Sequence, residues 1–454
     1  MKQIIFHIDV NSAFLSWSAQ KRLEKGDPVD LRTIPSIVGG DQELRHGVVL
    51  AKSVPARRYG ILTGEPIVNA LRKCPSLTIE PPDHKLYHEK SRALMAFLSR
   101  ICPEIEQLSV DECFMDFTPI RNRFPSPEQA AETIKNRIRD TFGFTVNIGI
   151  SDKKVLAKMA SDFKKPDLVH TLYSSEIEEK MWPLPVSSLY MCGKSSTQAL
   201  RKLEIRSIGD LARADRDVLS SHLKSHGLML WEFANGIDDS VVVSAPEQAK
   251  GIGNSTTLPG DLLHRQEAFH CLLSLCDNVA MRLRKAGQLA GMVSVEIKYS
   301  SFKTVSHQTT LSVPTNTSAI LYEAVCQLFE ELWNGSPIRL LGVRSSRLCD
   351  ATEPVQLSLF DWAATDTGRV GVRSLTPDRS PGTDACEKNG PASAGGTHGR
   401  AVRKGSPAFP SREKLAALDK SLDSIREKYG ESAVVRGSFL KRDAPKTAPE
   451  SSQK

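Results

Sequence analysis

The sequence predicts a multidomain α+β protein that ends in a tail without a folded core. A chain of 454 residues exceeds one ordinary hydrophobic core, because domains average about 150 residues. Strand-like and helix-like patterns alternate over most of its length. No aromatic residue occurs between Trp362 and Phe409, where Gly, Pro, Ser and Thr are frequent. That stretch lacks the apolar surface that folding requires.

Composition narrows the class of protein but does not select a function. Hydrophobic residues make up 40% and charged residues 25% of the chain, which is ordinary for a water-soluble globular protein. The net charge of +7 permits a polyanionic partner without requiring one. The nine cysteines show neither zinc-site spacing nor a compact disulfide framework. With no signal peptide and no run of about 20 apolar residues, we expect a cytoplasmic protein without a membrane segment.

Residues 1–180 predict a mixed α/β domain. The periodicity of the apolar residues changes repeatedly between that of strands and that of helices. In order, the pattern predicts strand Gln3–Asp9, helix Ser12–Arg22, strand Val48–Lys52, helices Pro66–Lys73 and Lys90–Ile101, paired strands in Leu108–Phe117, helix Pro127–Phe142, strand Thr145–Ile150 and helix Lys153–Asp162.

The remainder of the chain divides by composition. Residues 181–240 predict short helices separated by glycines, and residues 245–350 an α+β unit with helices Arg265–Ala286 and Ser318–Leu332 and strands Val293–Tyr299 and Thr304–Leu311. A short apolar peptide follows at 354–362 and a disordered linker at 363–410. Residues 411–442 contain one amphipathic helix, in which Leu415, Leu418, Leu422 and Ile425 recur at helical spacing. The sequence does not indicate its partner.

Three acids are candidates for a metal site. Asp9 ends a buried-looking strand, where a carboxylate needs a cation or several donors. Asp111 and Glu112 are adjacent, and adjacent side chains on a regular strand point to opposite faces. A shared site therefore predicts a bend at Val110 to Cys113. An isolated acidic pair more often caps a helix or meets a surface base, so the wider pattern decides.

Four segments supply that wider pattern: HIDVNSAF at 7–14, AKSVPARRYG at 51–60, SVDECFMD at 109–116 and NIGISDKKVLAKMASDFKKPD at 147–167. Together they resemble the Y-family DNA polymerases, in the DinB or polymerase IV branch. The resemblance continues in order to about Cys349. It implies a right-hand polymerase, with a palm at 1–180, a fingers insertion at about 33–78, a helical thumb at 181–240 and a little finger at 245–350.

The resemblance implies the metal ligands. Asp9, Asp111 and Glu112 would be the catalytic acids that hold two Mg²⁺ ions, which Mn²⁺ is able to replace, with the backbone carbonyl of Val10 as a further ligand. Two-metal phosphoryl transfer needs such a set of acids. Many members carry a second Asp where this chain has Asn11, but the family's ligand is the first acid.

The resemblance also implies a nucleotide site. Phe14 matches the steric gate that excludes a ribose 2′-hydroxyl, although an ordinary core phenylalanine is the competing interpretation. Arg57 and Lys165 match the basic residues that bind the incoming triphosphate. Val54 stands where the family often has a tyrosine, which removes one phosphate hydrogen bond.

Two further segments imply macromolecular partners. Ser187 to Ala212 resembles a helix-hairpin-helix that contacts DNA phosphates, with Met191 in place of an expected glycine. QLSLF at 356–360 resembles the peptide that attaches bacterial polymerases to the sliding clamp, anchored by Gln356, Leu357 and Phe360. The implied partners are primer-template DNA, dNTPs and the sliding clamp, and the implied oligomeric state is a monomer.

The implied reaction is template-directed, low-fidelity translesion synthesis during DNA repair and replication, with release of pyrophosphate and no proofreading. Such an enzyme is a DNA-directed DNA polymerase, a nucleotidyltransferase and a mutator protein. Two alternatives stay open. In the first, the chain is a non-catalytic DNA-binding or clamp-associated accessory protein, an interpretation that the intact acids disfavour. In the second, it is a nucleotide cyclase with a palm-like fold, but a cyclase has no use for a thumb, a little finger or a clamp peptide.

Overall fold

The computed structural model describes residues 3–40, 47–245, 248–352, 412–430 and 433–434. The chain forms two compact units, Met1–Glu247 and Gln248–Lys454, which are described separately. The predicted clamp peptide at 354–362 and the predicted linker at 363–410 lie outside the described residues. None of the helices within the described ranges is both long enough and apolar enough to cross a membrane.

The first unit is built on a five-stranded sheet in the order β5-β6-β1-β7-β8. Its central strand β1 runs antiparallel to both β6 and β7, whereas β7 and β8 are parallel. The strands are β1 (Ile5–Val10), β5 (Ile105–Gln107), β6 (Glu112–Asp116), β7 (Val146–Ser151) and β8 (Val169–Thr171).

Helices cover both faces of this sheet, and β1 therefore alternates between two buried environments. Phe6, Ile8 and Val10 join the core formed with α4 and α5, while Ile5 packs against the side of α6. The helices of this region are α1 (Ala13–Glu24), α4 (His84–Ile101), α5 (Pro127–Phe142) and α6 (Lys154–Ser161).

A second, three-stranded sheet in the order β3-β2-β4 has its own small core. It lies in the part of the chain that the resemblance assigns to the fingers, and that boundary stays a prediction. Its elements are β2 (Ser36–Gly39), β3 (Val49–Lys52), β4 (Thr78–Glu80), α2 (Val54–Arg58) and α3 (Ile67–Lys73).

The rest of the first unit is helical, as its glycine-punctuated sequence predicts. Leu200, Leu211 and Leu230 belong to one buried cluster that joins the three main helices. These are α7 (Lys194–Lys202), α8 (Ile208–Ala212) and α9 (Arg216–Ala234), and the 3-10 and π turns of the unit are Thr118–Arg123, Ser174–Glu176, Ile177–Met181 and Val186–Ser188.

The second unit packs two helices on one face of a four-stranded antiparallel sheet, β11-β10-β12-β9. On β10, Val293 and Val295 are buried under the helices, and the intervening Ser294 lies on the opposite face. The elements are β9 (Gly251–Leu262), α10 (Arg265–Lys285), β10 (Gln288–Tyr299), β11 (Thr304–Thr315), α11 (Ser318–Leu332), β12 (Ile338–Asp350) and α12 (Arg412–Tyr429).

Two element predictions need correction. The helix expected over Lys90–Ile101 begins at His84, because the Asp83 carboxylate accepts a hydrogen bond from the Leu86 N–H and caps the helix six residues earlier than the apolar pattern indicates. The bend expected at Val110 to Cys113 ends at Asp111, since Glu112 and Cys113 are already residues of β6.

Candidate active site

Asp9 and Glu112 lie opposite each other on the adjacent antiparallel strands β1 and β6. Strand alternation places both side chains on the face that α6 covers. A ligand atom from each of these residues and from His7 lies within 4.8 Å of the other two. The two acid side chains are only 16% and 18% exposed. Like charges at this separation repel unless cations lie nearby.

Asp111 lies beside this cluster, in the turn between β5 and β6. Its backbone carbonyl accepts a hydrogen bond from the Val10 N–H at 3.0 Å, which ties the turn to the end of β1. The Ser109 hydroxyl donates to its carboxylate. Burial raises the pKa of Asp111, and the charges of Asp9 and Glu112 raise it further.

Two lysines supply positive charge to the acids. Lys158, on α6, donates a hydrogen bond to Glu112 and lies 3.5 Å from an oxygen of Asp9. Lys165 lies 3.1 Å from the other oxygen of Asp9 and 2.9 Å from Asp162. Burial opposes the charge on each lysine, but the acids outweigh burial and raise both pKa values.

His7 is a site residue that the sequence interpretation missed. It is fully buried on β1, and its Nδ1 lies 2.8 Å from the Ser161 hydroxyl. Its Nε2 lies 3.3 Å from Glu112, without the alignment of a hydrogen bond. Burial opposes ionisation of Glu112, but His7 and Lys158 outweigh it and lower the pKa of Glu112 to about 2. The polar residue inside an apolar strand was the available signal.

Asn11, the departure from the family pattern, has a structural role. Its amide nitrogen donates to the Asn147 side chain at 3.1 Å, and its oxygen accepts from the Thr145 hydroxyl and the Asp167 N–H. Asn147 in turn donates to the backbone carbonyl of Lys164 at 2.7 Å. A carboxylate could not both donate and accept here. The amides thus hold the loop that carries Lys165.

The remaining predicted nucleotide residues have different surroundings. Phe14, on α1, is partly exposed and stacks on Tyr87, with ring centroids 4.3 Å apart. Arg57 is exposed on α2. Burial of Lys52 lowers the pKa of that lysine, and the nearby charge of Arg57 lowers it further. Val54 is 45% exposed at the start of the same helix. The structure brings Lys165 to the acids, whereas Phe14 and Arg57 lie on other elements.

Met191 adopts the backbone conformation that a hairpin glycine would adopt. Its φ is 67°, in the left-handed region, and its side chain is 52% exposed. The backbone turn is therefore kept in spite of the substitution, at the steric cost that a Cβ atom adds. The other predicted contact residues, Gln356, Leu357 and Phe360, lie outside the described part of the chain.

Comparisons with known proteins agree with this architecture. The impB/mucB/samB family matches residues 8–162 and the C-terminal domain of that family matches residues 249–359. DNA polymerase IV of Clostridium acetobutylicum is 42% identical over 98% of this chain and 100% of its own. DNA polymerase IV of Alkaliphilus oremlandii is 38% identical over 97% of this chain and 100% of its own.

A solved Y-family DNA polymerase chimera has a similar fold, with a TM-score of 0.67 over 76% of this chain and 99% of the chimera. Its identity is 19%, so it supports the fold alone. The family matches cover both units, and the relatives match almost end to end. The chain is therefore a member of the Y-family DNA polymerases, in the DinB or DNA polymerase IV branch.

Proposed function

We propose that this DNA-directed DNA polymerase performs low-fidelity translesion synthesis, joining a dNTP to the primer 3′-hydroxyl with release of pyrophosphate. The observation that carries the proposal is the pairing of Asp9 with Glu112 across two strands, next to Asp111 in a turn bonded to β1. Two lysines face the same acids. Carboxylates held this close together repel one another, and such a cluster indicates a site for multivalent cations.

The donor set fits Mg²⁺. Magnesium prefers carboxylate and carbonyl oxygens, which Asp9, Asp111 and Glu112 offer, with the Val10 backbone carbonyl as the expected fourth ligand. His7 belongs to the same cluster, but its Nδ1 contacts Ser161 and its side chain is fully buried, so we do not count it among the proposed ligands. Two bound Mg²⁺ ions, or Mn²⁺ in their place, would lower the pKa of the primer hydroxyl and neutralise the leaving pyrophosphate.

The residues of the chain itself would position the nucleotide. Lys165 Nζ lies 3.1 Å from Asp9, so that a phosphate binding beside Asp9 would meet an ammonium group already held in place. Arg57, exposed on its helix, would bind the triphosphate from the fingers side. Phe14 is held by its stacking on Tyr87, which gives a rigid ring suited to excluding a 2′-hydroxyl.

We further propose the roles of the other regions. The helical segment 181–240 would be the thumb and residues 245–350 the little finger, both binding primer-template DNA through its phosphates. QLSLF at 356–360 would attach the enzyme to the sliding clamp. We expect the enzyme to be a cytoplasmic monomer. We also expect it to lack proofreading, because the acids beyond the palm are dispersed in the sequence and form no second cluster there.

Primer extension on an undamaged template with Mg²⁺ and single dNTPs tests the proposal. The wild-type chain should extend primers distributively and with errors, and Asp111→Ala should abolish extension. Glu178→Gln is the matched control, because it removes an exposed acid from the same unit. Absence of extension by the wild-type chain would contradict the proposal and favour the accessory-protein function.

A further inference from the structure

The C-terminal helix α12 contacts the rest of the second unit through one arginine of α10. The Arg284 guanidinium donates two hydrogen bonds to the Asp423 carboxylate, at 2.6 and 3.0 Å, and a third at 3.2 Å to Asp419. The side chain of Arg284 is 10% exposed and that of Asp419 is 7% exposed. A buried guanidinium is costly without acidic partners, and the helix supplies two.

A second contact of α12, also made by Asp419, involves the start of α11. The Asp419 carboxylate accepts a hydrogen bond from the backbone N–H of Ser318, the first residue of α11, at 2.8 Å. Thr317, at the N-cap of this helix, makes no side-chain capping bond. Asp419, which is 101 positions from Ser318 in the sequence, therefore provides the oxygen atom that a local N-cap residue normally provides.

We propose that Arg284 and the N-terminus of α11 form a docking site for an acidic helix, and that α12 of the same chain is its occupant. Asp419 and Asp423 are spaced four residues apart, so that they lie on one face of α12. Leu415 and Leu422 are partly buried, whereas Leu418 is 54% exposed. The inward face is thus the acidic one, and the predicted leucine stripe is only partly covered.

The docking site lies next to the point where the chain leaves the sheet. The Ala351 N–H, just beyond β12, donates to the carbonyl of Gly287 at 2.9 Å, and Gly287 follows Arg284 by three residues. Residues 248–352 and α12 therefore belong to the same unit. This docking involves no residue of the candidate active site and goes beyond the proposed polymerase function.

Hydrogen–deuterium exchange on the full-length chain tests the docking. In the wild-type chain the amides of α12 should be protected. The double substitution Asp419→Asn and Asp423→Asn should accelerate exchange in α12 by about tenfold or more and expose the Ser318 amide. Glu427→Gln, which removes an exposed acid from the same helix, should leave the protection unchanged.

Arg284→Gln examines the other side of the contact and should release α12 to the same extent. Exchange in β10 and β12 reports whether that variant still folds, and the double substitution on α12 keeps the test valid if it does not. Unprotected α12 amides in the wild-type chain would overturn the proposal, as would equal α12 exchange in the wild-type chain and the double variant. Primer extension should be unchanged in the double variant, which separates this test from that of the polymerase function.

Discussion

Asp9 and Glu112 face each other across two antiparallel strands, with carboxylate oxygens within 4.8 Å. Opposed like charges destabilise a strand pair, and a divalent cation would remove that repulsion. The arrangement that we propose as a metal site should thus make the stability of the fold depend on metal. It also explains why Lys158 and Lys165 lie against the acids. Burial lowers the pKa of each lysine, but the neighbouring carboxylates raise it by more.

Mg²⁺ should therefore stabilise the first unit. At ten times the dissociation constant, binding adds about 1.4 kcal/mol to the free energy of unfolding, which raises the melting temperature by about 4 °C in a unit of this size. Differential scanning fluorimetry with and without Mg²⁺ measures it. Glu112→Gln should lose the rise and Glu178→Gln should keep it. An equal rise in both variants would show that the ion binds elsewhere.

Lys158→Gln should weaken the fold without metal and strengthen metal binding. Lys158 contacts Glu112 and Asp9. Its removal leaves the partly buried Glu112 without an ammonium partner, at a cost of about 2 kcal/mol, whereas Asp9 keeps Lys165. The substitution also removes a cation that competes with Mg²⁺. A Mg²⁺ titration followed by thermal unfolding should show a lower starting stability and a lower half-saturating concentration. Lys158→Arg is the control, and an unchanged half-saturation would contradict the competition.

Stability should fall in acid through Glu112. Its pKa is lowered from 4.5 to about 2 in the folded chain, where His7 and Lys158 outweigh burial. A carboxyl group whose pKa is lower in the folded chain than in the unfolded chain stabilises the fold at any pH above its unfolded pKa. That stabilisation is lost as the pH falls from about 4.5 towards 2. The difference in urea stability between the wild-type chain and Glu112→Gln should shrink over this window. A constant difference would contradict the lowered pKa.

Met191→Gly should stabilise the chain. Met191 has a φ of 67° and an exposed side chain, so that the substitution relieves the left-handed strain of about 1 kcal/mol while removing little packing. Thermal unfolding of the full chain measures the gain. Met191→Ala keeps a Cβ atom and should show no such gain, and a loss of stability with glycine would mean that the side chain packs more than its exposure indicates.

Local sequence patterns predicted the elements that depend on local physics. The helices Pro127–Phe142 and Ser318–Leu332 have the predicted bounds, because capping and periodicity act within a few residues. The long strands Gly251–Leu262 and Ile338–Asp350 were less apparent, since glycines and polar residues interrupt their apolar pattern.

The site was predicted as a set of acids but not as a network. The motifs select Asp9, Asp111 and Glu112 as candidates, and the structure clusters ligand atoms of Asp9, Glu112 and His7. The contact of His7 with Ser161 joins residues 154 positions apart, a separation that periodicity does not encode. The same limit applies to α12, whose amphipathic pattern was apparent but whose partner Arg284 lies 139 positions from Asp423. The role of these buried charged and polar groups therefore depends on partners that are distant in the sequence.

Phe14→Ala should relax the sugar selectivity of the enzyme. If the ring excludes a 2′-hydroxyl, its removal should raise ribonucleotide incorporation relative to deoxynucleotide incorporation by about tenfold or more. Single-turnover primer extension with matched dNTP and NTP measures the ratio. Because Phe14 stacks on Tyr87, Tyr87→Phe is the control: it keeps the stacking and should keep the selectivity. If Phe14→Ala lowered the rates with both sugars equally, Phe14 would be a core residue that supports the site, and the selectivity would have to come from another side chain.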